Sequence, residues 1–119
     1  MKVKIKDKEI ELCYSMRTHI IYENITNESV DFMNMKSIKQ LTTLFLATIL
    51  ASAQKNKIDL NLTFDEYADW LDDNGGYIIL NEFAQWLAET VRAKYALLAE
   101  TEEEKEDLPV QKKRKKAKD

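Results

Sequence analysis

The sequence predicts an α+β fold that is mostly α, with an N-terminal β-hairpin packed on a bundle of about four helices. Three observations support it: apolar and charged residues alternate near the N-terminus, apolar residues then recur at helical spacing, and serine or threonine caps precede helical segments. The chain has 119 residues, 45% hydrophobic and 33% charged, which suits one core. We therefore expect a single domain over residues 1–100 and a charged, disordered extension over 101–119.

The hairpin is the first element. Apolar and charged residues alternate up to Lys6, and the alternation resumes at Glu9 after Asp7 and Lys8. A two-residue turn at Asp7-Lys8 therefore joins the strands and places lysines opposite glutamates. An isolated hairpin is marginally stable in water, so its apolar face must pack on helices. The predicted cross-strand pairs are Val3 with Leu12, Lys4 with Glu11, Ile5 with Ile10, and Lys6 with Glu9.

Two helices follow the hairpin. Ser15 is the expected N-cap of a short first helix that ends near Tyr22. Ser37 and Gln40 form a capping box for a second helix over residues 38–54. Almost every side of this second helix is apolar, which predicts a place at the centre of the fold.

The third helix has the clearest start. Thr63 and Glu66 form a second capping box, and Phe64 and Tyr67 share an apolar face of the helix that follows. The helix is expected to end at the two glycines after Asn74, which are the only glycines in the chain.

The fourth helix is long. From about Ile79 to beyond Glu100 the sequence contains no helix breaker, and apolar residues recur at helical spacing. An acidic run over residues 100–107 follows, and Pro109 ends any helix. The basic tail, residues 112–118, cannot bury a core and is expected to be disordered.

The sequence offers no residues for catalysis or for a cofactor. With one cysteine, Cys13, and one histidine, His19, it lacks the ligand set of a zinc site and the pair needed for Cys-His chemistry. A calcium loop is excluded because Leu71 stands where the first carboxylate ligand is needed. No signal segment or membrane span is evident. We expect a protein that is not an enzyme and that holds no metal and no cofactor.

The charge distribution disfavours nucleic acid as a partner of the folded body. Residues 112–119 carry six basic and one acidic side chain, and without them twelve basic and twenty acidic residues leave a net charge of −8. Nucleic-acid affinity comes largely from Lys and Arg, so a body this acidic repels a phosphate backbone. A small nucleic-acid-associated regulator that acts through its basic tail remains the alternative.

Several segments in order carry a family resemblance: KVKIKDKEIELCYS, RTHIIYE, an apolar alanine-containing helix, LTFDEYADWLDDN and NEFAQWLAETV. Over residues 2–95 the chain resembles the tail assembly chaperones of long-tailed bacteriophages and prophages. The resemblance implies a non-enzymatic factor of the host bacterial cytoplasm that is absent from the finished virion. Such factors coat the aggregation-prone tape measure protein and help the tail tube protein polymerise around it. A structural tail subunit that stays in the particle is a further alternative.

A chaperone of this kind needs a helical groove with an acidic rim for an exposed apolar helix of its client, and several copies per client would add avidity. Self-association in multiple copies is therefore compatible with the sequence. The two tryptophans are either the edge of the core or exposed anchors. The predicted partner-binding residues, which form core on one side and partner surface on the other, are Leu44, Phe45, Leu50, Tyr67, Trp70, Phe83, Trp86 and Leu87.

Overall fold

The computed structural model describes the backbone of residues 1–31 and 37–107, with side chains as far as Lys94 and at residue 96. These residues confirm the predicted fold class, an antiparallel hairpin followed by four helices. None of the described helices combines the length and the apolar character that crossing a membrane requires. The elements are β1 (Lys2–Ile5), β2 (Lys8–Glu11), α1 (Met16–Thr26), α2 (Ile38–Lys55), α3 (Phe64–Asp73) and α4 (Tyr77–Asp107).

The chain divides into two compact units, Met1–Leu87 and Ala88–Asp119. The first unit holds the hairpin, α1 to α3 and the beginning of α4, and it ends before the domain boundary expected at residue 100. In the second unit the backbone is helical as far as Asp107, so residues 101–107 of the expected disordered extension are helical. The disorder expected for the rest of that extension concerns residues 108–119, which lie outside the described residues.

The hairpin is confirmed, but its predicted register is wrong. Val3 pairs with Ile10 rather than with Leu12, because the turn is Lys6-Asp7, one residue earlier than predicted. Both turn residues have positive φ, 51° and 63°, as the favoured two-residue hairpin turns with matching strand twist require. Each partner therefore shifts by two positions, which leaves every side chain on its predicted face. The observed pairs are Lys2–Glu11, Val3–Ile10, Lys4–Glu9 and Ile5–Lys8.

Polar contacts join the hairpin to α3. The indole N–H of Trp70 donates to the backbone oxygen of Lys4 at 2.7 Å. The Lys6 ammonium lies 3.2 Å from a carboxylate oxygen of Glu66. Apolar burial supplies the rest of the attachment, because one face of the hairpin is buried. The buried residues of the hairpin and the segment after it are Val3, Ile5, Ile10, Leu12 and Tyr14.

The predicted capping boxes are present at α2 and α3. The backbone N–H of Gln40 donates to Ser37 Oγ at 3.1 Å, and that of Glu66 donates to Thr63 Oγ1 at 3.1 Å. In return, the side chains of Gln40 and Glu66 accept from the backbone N–H of their capping residues at 3.3 and 2.9 Å. Both helices therefore begin where the sequence places them, at Ile38 and at Phe64.

Helix α2 is central, as predicted. It is contacted by α1 and β2, and most of its apolar residues from Leu44 onward are buried, whereas Leu46 and Leu50 are half-buried. The polar residues inside it are hydrogen-bonded: Thr48 Oγ1 donates to the Leu44 carbonyl at 2.8 Å. Ser52 Oγ donates to the Thr48 carbonyl at 2.7 Å and accepts from the Cys13 backbone N–H at 3.0 Å. These bonds offset the desolvation of buried hydroxyls.

Two helices are longer than the sequence suggested. Helix α1 continues past Tyr22 to Thr26 and ends at Asn27, which adopts a left-handed conformation with φ 60°. Asparagine tolerates that conformation better than most residues, so it can serve as a helix stop in place of glycine. Helix α4 begins at Tyr77 rather than at Ile79, immediately after the two glycines.

Candidate partner-binding groove

An aromatic cluster joins α2, α3 and the first part of α4. The ring of Phe45 is stacked on that of Phe83, with centroids 4.4 Å apart and planes 13° from parallel. Tyr67 and Trp70 meet the same ring edge-on at 6.3 and 5.7 Å. The Tyr67 hydroxyl donates to the Thr42 carbonyl at 2.6 Å, and burial raises the pKa of Tyr67. The cluster therefore fixes α3 and the start of α4 against α2.

Most of the eight residues predicted to face a partner are core residues in this structure. Five of them are almost completely covered by neighbouring elements: Leu44, Phe45, Tyr67, Phe83 and Leu87. They can support a partner surface from beneath but not form it. Leu50, Trp70 and Trp86 are half-buried. Trp70 also uses its indole N–H within the fold, so both tryptophans lie at the core edge, and a role for them in binding stays a prediction.

An open apolar groove lies between the beginning of α2 and the first turns of α4, with a volume of about 730 Å³. Three of its side chains are largely exposed: Ile38 by 48%, Tyr77 by 74% and Ile78 by 67%. Exposed apolar residues that cluster in this way mark interaction sites more often than single exposed ones do. The lining residues that matter most here are Ile38, Leu41, Tyr77, Ile78, Leu80 and Glu82.

The sequence contained a signal for this groove that the helix periodicity alone did not reveal. Residues 77–80, Tyr-Ile-Ile-Leu, are four consecutive apolar residues, and at about 100° per residue they extend around most of a helix. One face of α4 cannot bury them all. Leu80 is buried, whereas Tyr77 and Ile78 face solvent. The two glycines allow α4 to start directly after α3, because Gly75 and Gly76 adopt positive φ values of 100° and 55°.

The charged residue in the described lining of the groove is acidic, and so are the charged residues of the helix that precedes α4 in the sequence. Glu82 is that lining residue, and α3, which precedes α4, contains five acidic and no basic residues, all five exposed. Of these, Glu66 bonds to the Thr63 backbone N–H and to Lys6, and these two contacts lower the pKa of Glu66. Asp73 ends α3 just before the glycine linker that leads to the groove. A partner therefore meets apolar side chains beside negative charge.

A second cavity, of about 480 Å³, lies between α1 and α2. Its lining includes both charge signs, from Glu28 and Lys39, together with the partly exposed Ile25. Two further exposed apolar residues on α1, Met16 and Ile20, line neither cavity. The groove between α2 and α4 is therefore the better candidate, because its exposed apolar side chains converge on one open space.

Among the described residues, no group of three or more His, Cys, Asp or Glu side chains is placed so that it could hold a metal ion. Comparisons with protein-family models, with curated proteins and with solved structures found no match to this chain. The described residues define a class in physical terms: a hairpin-plus-helices unit with an exposed apolar groove that is lined by one carboxylate, Glu82.

Proposed function

We propose that this chain is a non-enzymatic tail assembly chaperone that acts in the host bacterial cytoplasm. It binds an apolar helical stretch of a phage tape measure protein, keeps that protein from aggregating, and assists assembly of the tail tube protein around it. The observation that carries the proposal is the groove of Ile38, Tyr77 and Ile78, which leaves apolar surface exposed in the monomer. The similarity of residues 2–95 to tail assembly chaperones supports the identity of the client.

The groove has room for several apolar side chains of a partner. Its volume of about 730 Å³ equals that of roughly two dozen water molecules at about 30 Å³ each, which is more than one side chain fills. An amphipathic helix presents apolar anchors at positions i, i+3, i+4 and i+7 along one face. Ile38 and Leu41 on one wall and Tyr77 and Ile78 on the other provide apolar contacts for such anchors.

A single groove binds weakly, which suits a chaperone that must later leave its client. Covering the exposed parts of Ile38 and Ile78 contributes roughly 2 to 3 kcal/mol, since full burial of an isoleucine is worth about 1.5 to 3 kcal/mol. Association costs at least about 4 kcal/mol in lost translational and rotational freedom. Tyr77 and further contacts must supply the rest, and many copies along one tape measure chain then add avidity.

Co-expression with a tape measure protein tests the proposal. The tape measure protein alone is expected to pellet with the insoluble fraction, and co-expression with this chain should keep it soluble and allow its co-purification. Matched co-expression with a soluble helical protein of similar size and charge controls for general effects of expression. If the tape measure protein aggregates equally in both cases, the proposal is wrong.

The two alternatives predict different results. A nucleic-acid regulator would bind DNA with an affinity that falls steeply as salt rises and that depends on residues 112–118. A structural subunit would leave its peptides in purified mature virions. Either result would replace the chaperone proposal, which expects no salt-dependent DNA binding and no copies in the finished particle.

A further inference from the structure

We infer that the segment held in the groove is a cationic amphipathic helix, with apolar anchors on one face and Lys or Arg residues along the flanks of that face. This inference rests on the proposed function and adds the chemistry of the client segment. The occupant is a partner helix rather than a second copy of this chain, because residues 1–111 of a second copy carry a net charge of −8 and would be repelled by the Glu82 carboxylate that lines the groove.

The described lining of the groove carries charge of one sign. Glu82 lines it, and among the described residues no hydrogen bond or ion pair engages the Glu82 carboxylate. Asp72 and Asp73 end α3 beside the glycine linker, and both are exposed. The lysine nearest in sequence to the apolar wall of α2, Lys39, lines the other cavity and not this groove. An incoming Lys or Arg therefore meets the Glu82 carboxylate without a competing cation from the described lining of the groove.

The apolar and acidic parts of the site act together on such a helix. Lysine and arginine bury their methylene stems along apolar surface while their charged ends stay in water. A flanking cation can thus cover Tyr77 or Ile78 with its stem and reach Glu82 with its charge. Each exposed ion pair strengthens binding by about 1.4- to 5-fold, and the effect falls with salt. A helix with acidic flanks meets repulsion instead, so the groove selects among apolar helices by charge.

Three synthetic peptides test the charge preference. They share one apolar face with leucines at helical spacing and differ only in their flanking residues, which are Lys, Gln or Glu. Binding is measured by fluorescence anisotropy at about 50 mM and about 500 mM salt, where the screening lengths differ severalfold. We expect the Lys peptide to bind about tenfold more tightly than the Glu peptide at low salt, with Gln between them and a smaller spread at high salt. Equal affinities, or the reverse order, overturn the inference.

A pair of charge-reversal variants then locates the preference. Glu82→Lys and Glu23→Lys both replace an exposed glutamate on a helix and both change the net charge by two, but Glu23 on α1 does not line the groove. The Glu82 variant should bind the Lys peptide about three- to tenfold more weakly, and the Glu23 variant should stay within about twofold of the parent. Equal losses in both variants would assign the preference to overall charge and overturn the local site.

The peptides also separate this inference from the proposed function. If all three bind equally and Tyr77→Ser with Ile78→Ser abolishes their binding, the groove receives apolar helices and only the charge preference is wrong. If none binds and the tape measure protein is not kept soluble, both the inference and the proposed function are wrong. If none binds but the tape measure protein is kept soluble, the inference alone is overturned.

Discussion

Replacement of Phe45 by alanine should cost this fold a large part of its stability. The ring is fully buried and is stacked on the Phe83 ring, with the two centroids 4.4 Å apart. The rings of Tyr67 and Trp70 also contact it in edge-on geometry. Buried Phe→Ala changes cost about 3 to 5 kcal/mol, and three ring contacts place this one near the upper end. The total free energy of unfolding of a small domain is about 5 to 15 kcal/mol. We therefore expect a melting temperature lower by at least about 15 °C, at about 4 to 8 °C per kcal/mol.

Phe64→Ala is the matched control for this prediction. It makes the same chemical change in α3, but Phe64 is 70% exposed and contacts the cluster only through Tyr67, at 6.5 Å between ring centroids. Its cost should stay below about 1 kcal/mol. Urea and thermal unfolding, followed by circular dichroism and tryptophan fluorescence, measure both variants. Similar losses for the two, or a loss below about 1.5 kcal/mol for Phe45→Ala, would refute the assignment of Phe45 to the centre of the core.

Three further predictions concern the linker and two titrating groups. Gly75→Ala should destabilise more than Gly76→Ala in urea melts, because a Cβ at Gly75 lies 3.2 Å from Ile78 and φ is 100°, whereas Gly76 has open space and φ 55°. Burial raises the pKa of Tyr67, so stability should fall as pH rises above about 10, and Tyr67→Phe should weaken that fall. The pKa of Glu66 is lowered, so its stabilising contribution, present above its unfolded pKa, should disappear on acidification, and Glu66→Gln should reduce this loss between about pH 5 and pH 3.

Local signals predicted most of the fold. The two capping boxes placed the starts of α2 and α3 correctly, because each box satisfies backbone donors that a helix start otherwise leaves unpaired. The alternation of residues 1–14 predicted the buried face of the hairpin, since that face depends only on a period of two. The apolar character of α2 predicted its central place.

The errors arose where a backbone conformation or a neighbouring element decided the result. The turn at Lys6-Asp7 needs positive φ at two residues that usually avoid it, and composition did not reveal this choice. Phe64 was placed on one apolar face with Tyr67, but Tyr67 is buried whereas Phe64, the first residue of α3, is 70% exposed. The periodicity of the sequence could place Phe64 and Tyr67 on one face of α3. It could not show which of the two a neighbouring element covers.

The same limit applies to the candidate site. The predicted residues were chosen from the apolar stripes of the helices, and such stripes are what a fold buries first, so five of the eight are core. The exposed side chains of the groove lie instead at helix starts, at Ile38, Tyr77 and Ile78. In this chain, a run of apolar residues too wide for one helix face to bury is a better sequence indicator of a partner surface than a regular apolar stripe is.

If the groove between α2 and α4 holds the client, removal of its exposed apolar side chains must weaken binding, and a pair of double variants tests this. Tyr77→Ser with Ile78→Ser removes exposed apolar surface from the groove, and Met16→Ser with Ile20→Ser removes a comparable amount from α1, where the residues are 73% and 57% exposed. Both variants should remain folded, since exposed substitutions change stability little. The measurement is the affinity of each double variant for the tape measure protein, or for a peptide with the sequence of its apolar helical stretch.

We expect the groove variant to lose about 2 kcal/mol of binding free energy, roughly a thirtyfold weaker affinity, and the α1 variant to bind like the parent chain. Equal binding by the groove variant and the parent, or a loss confined to the α1 variant, would contradict this prediction.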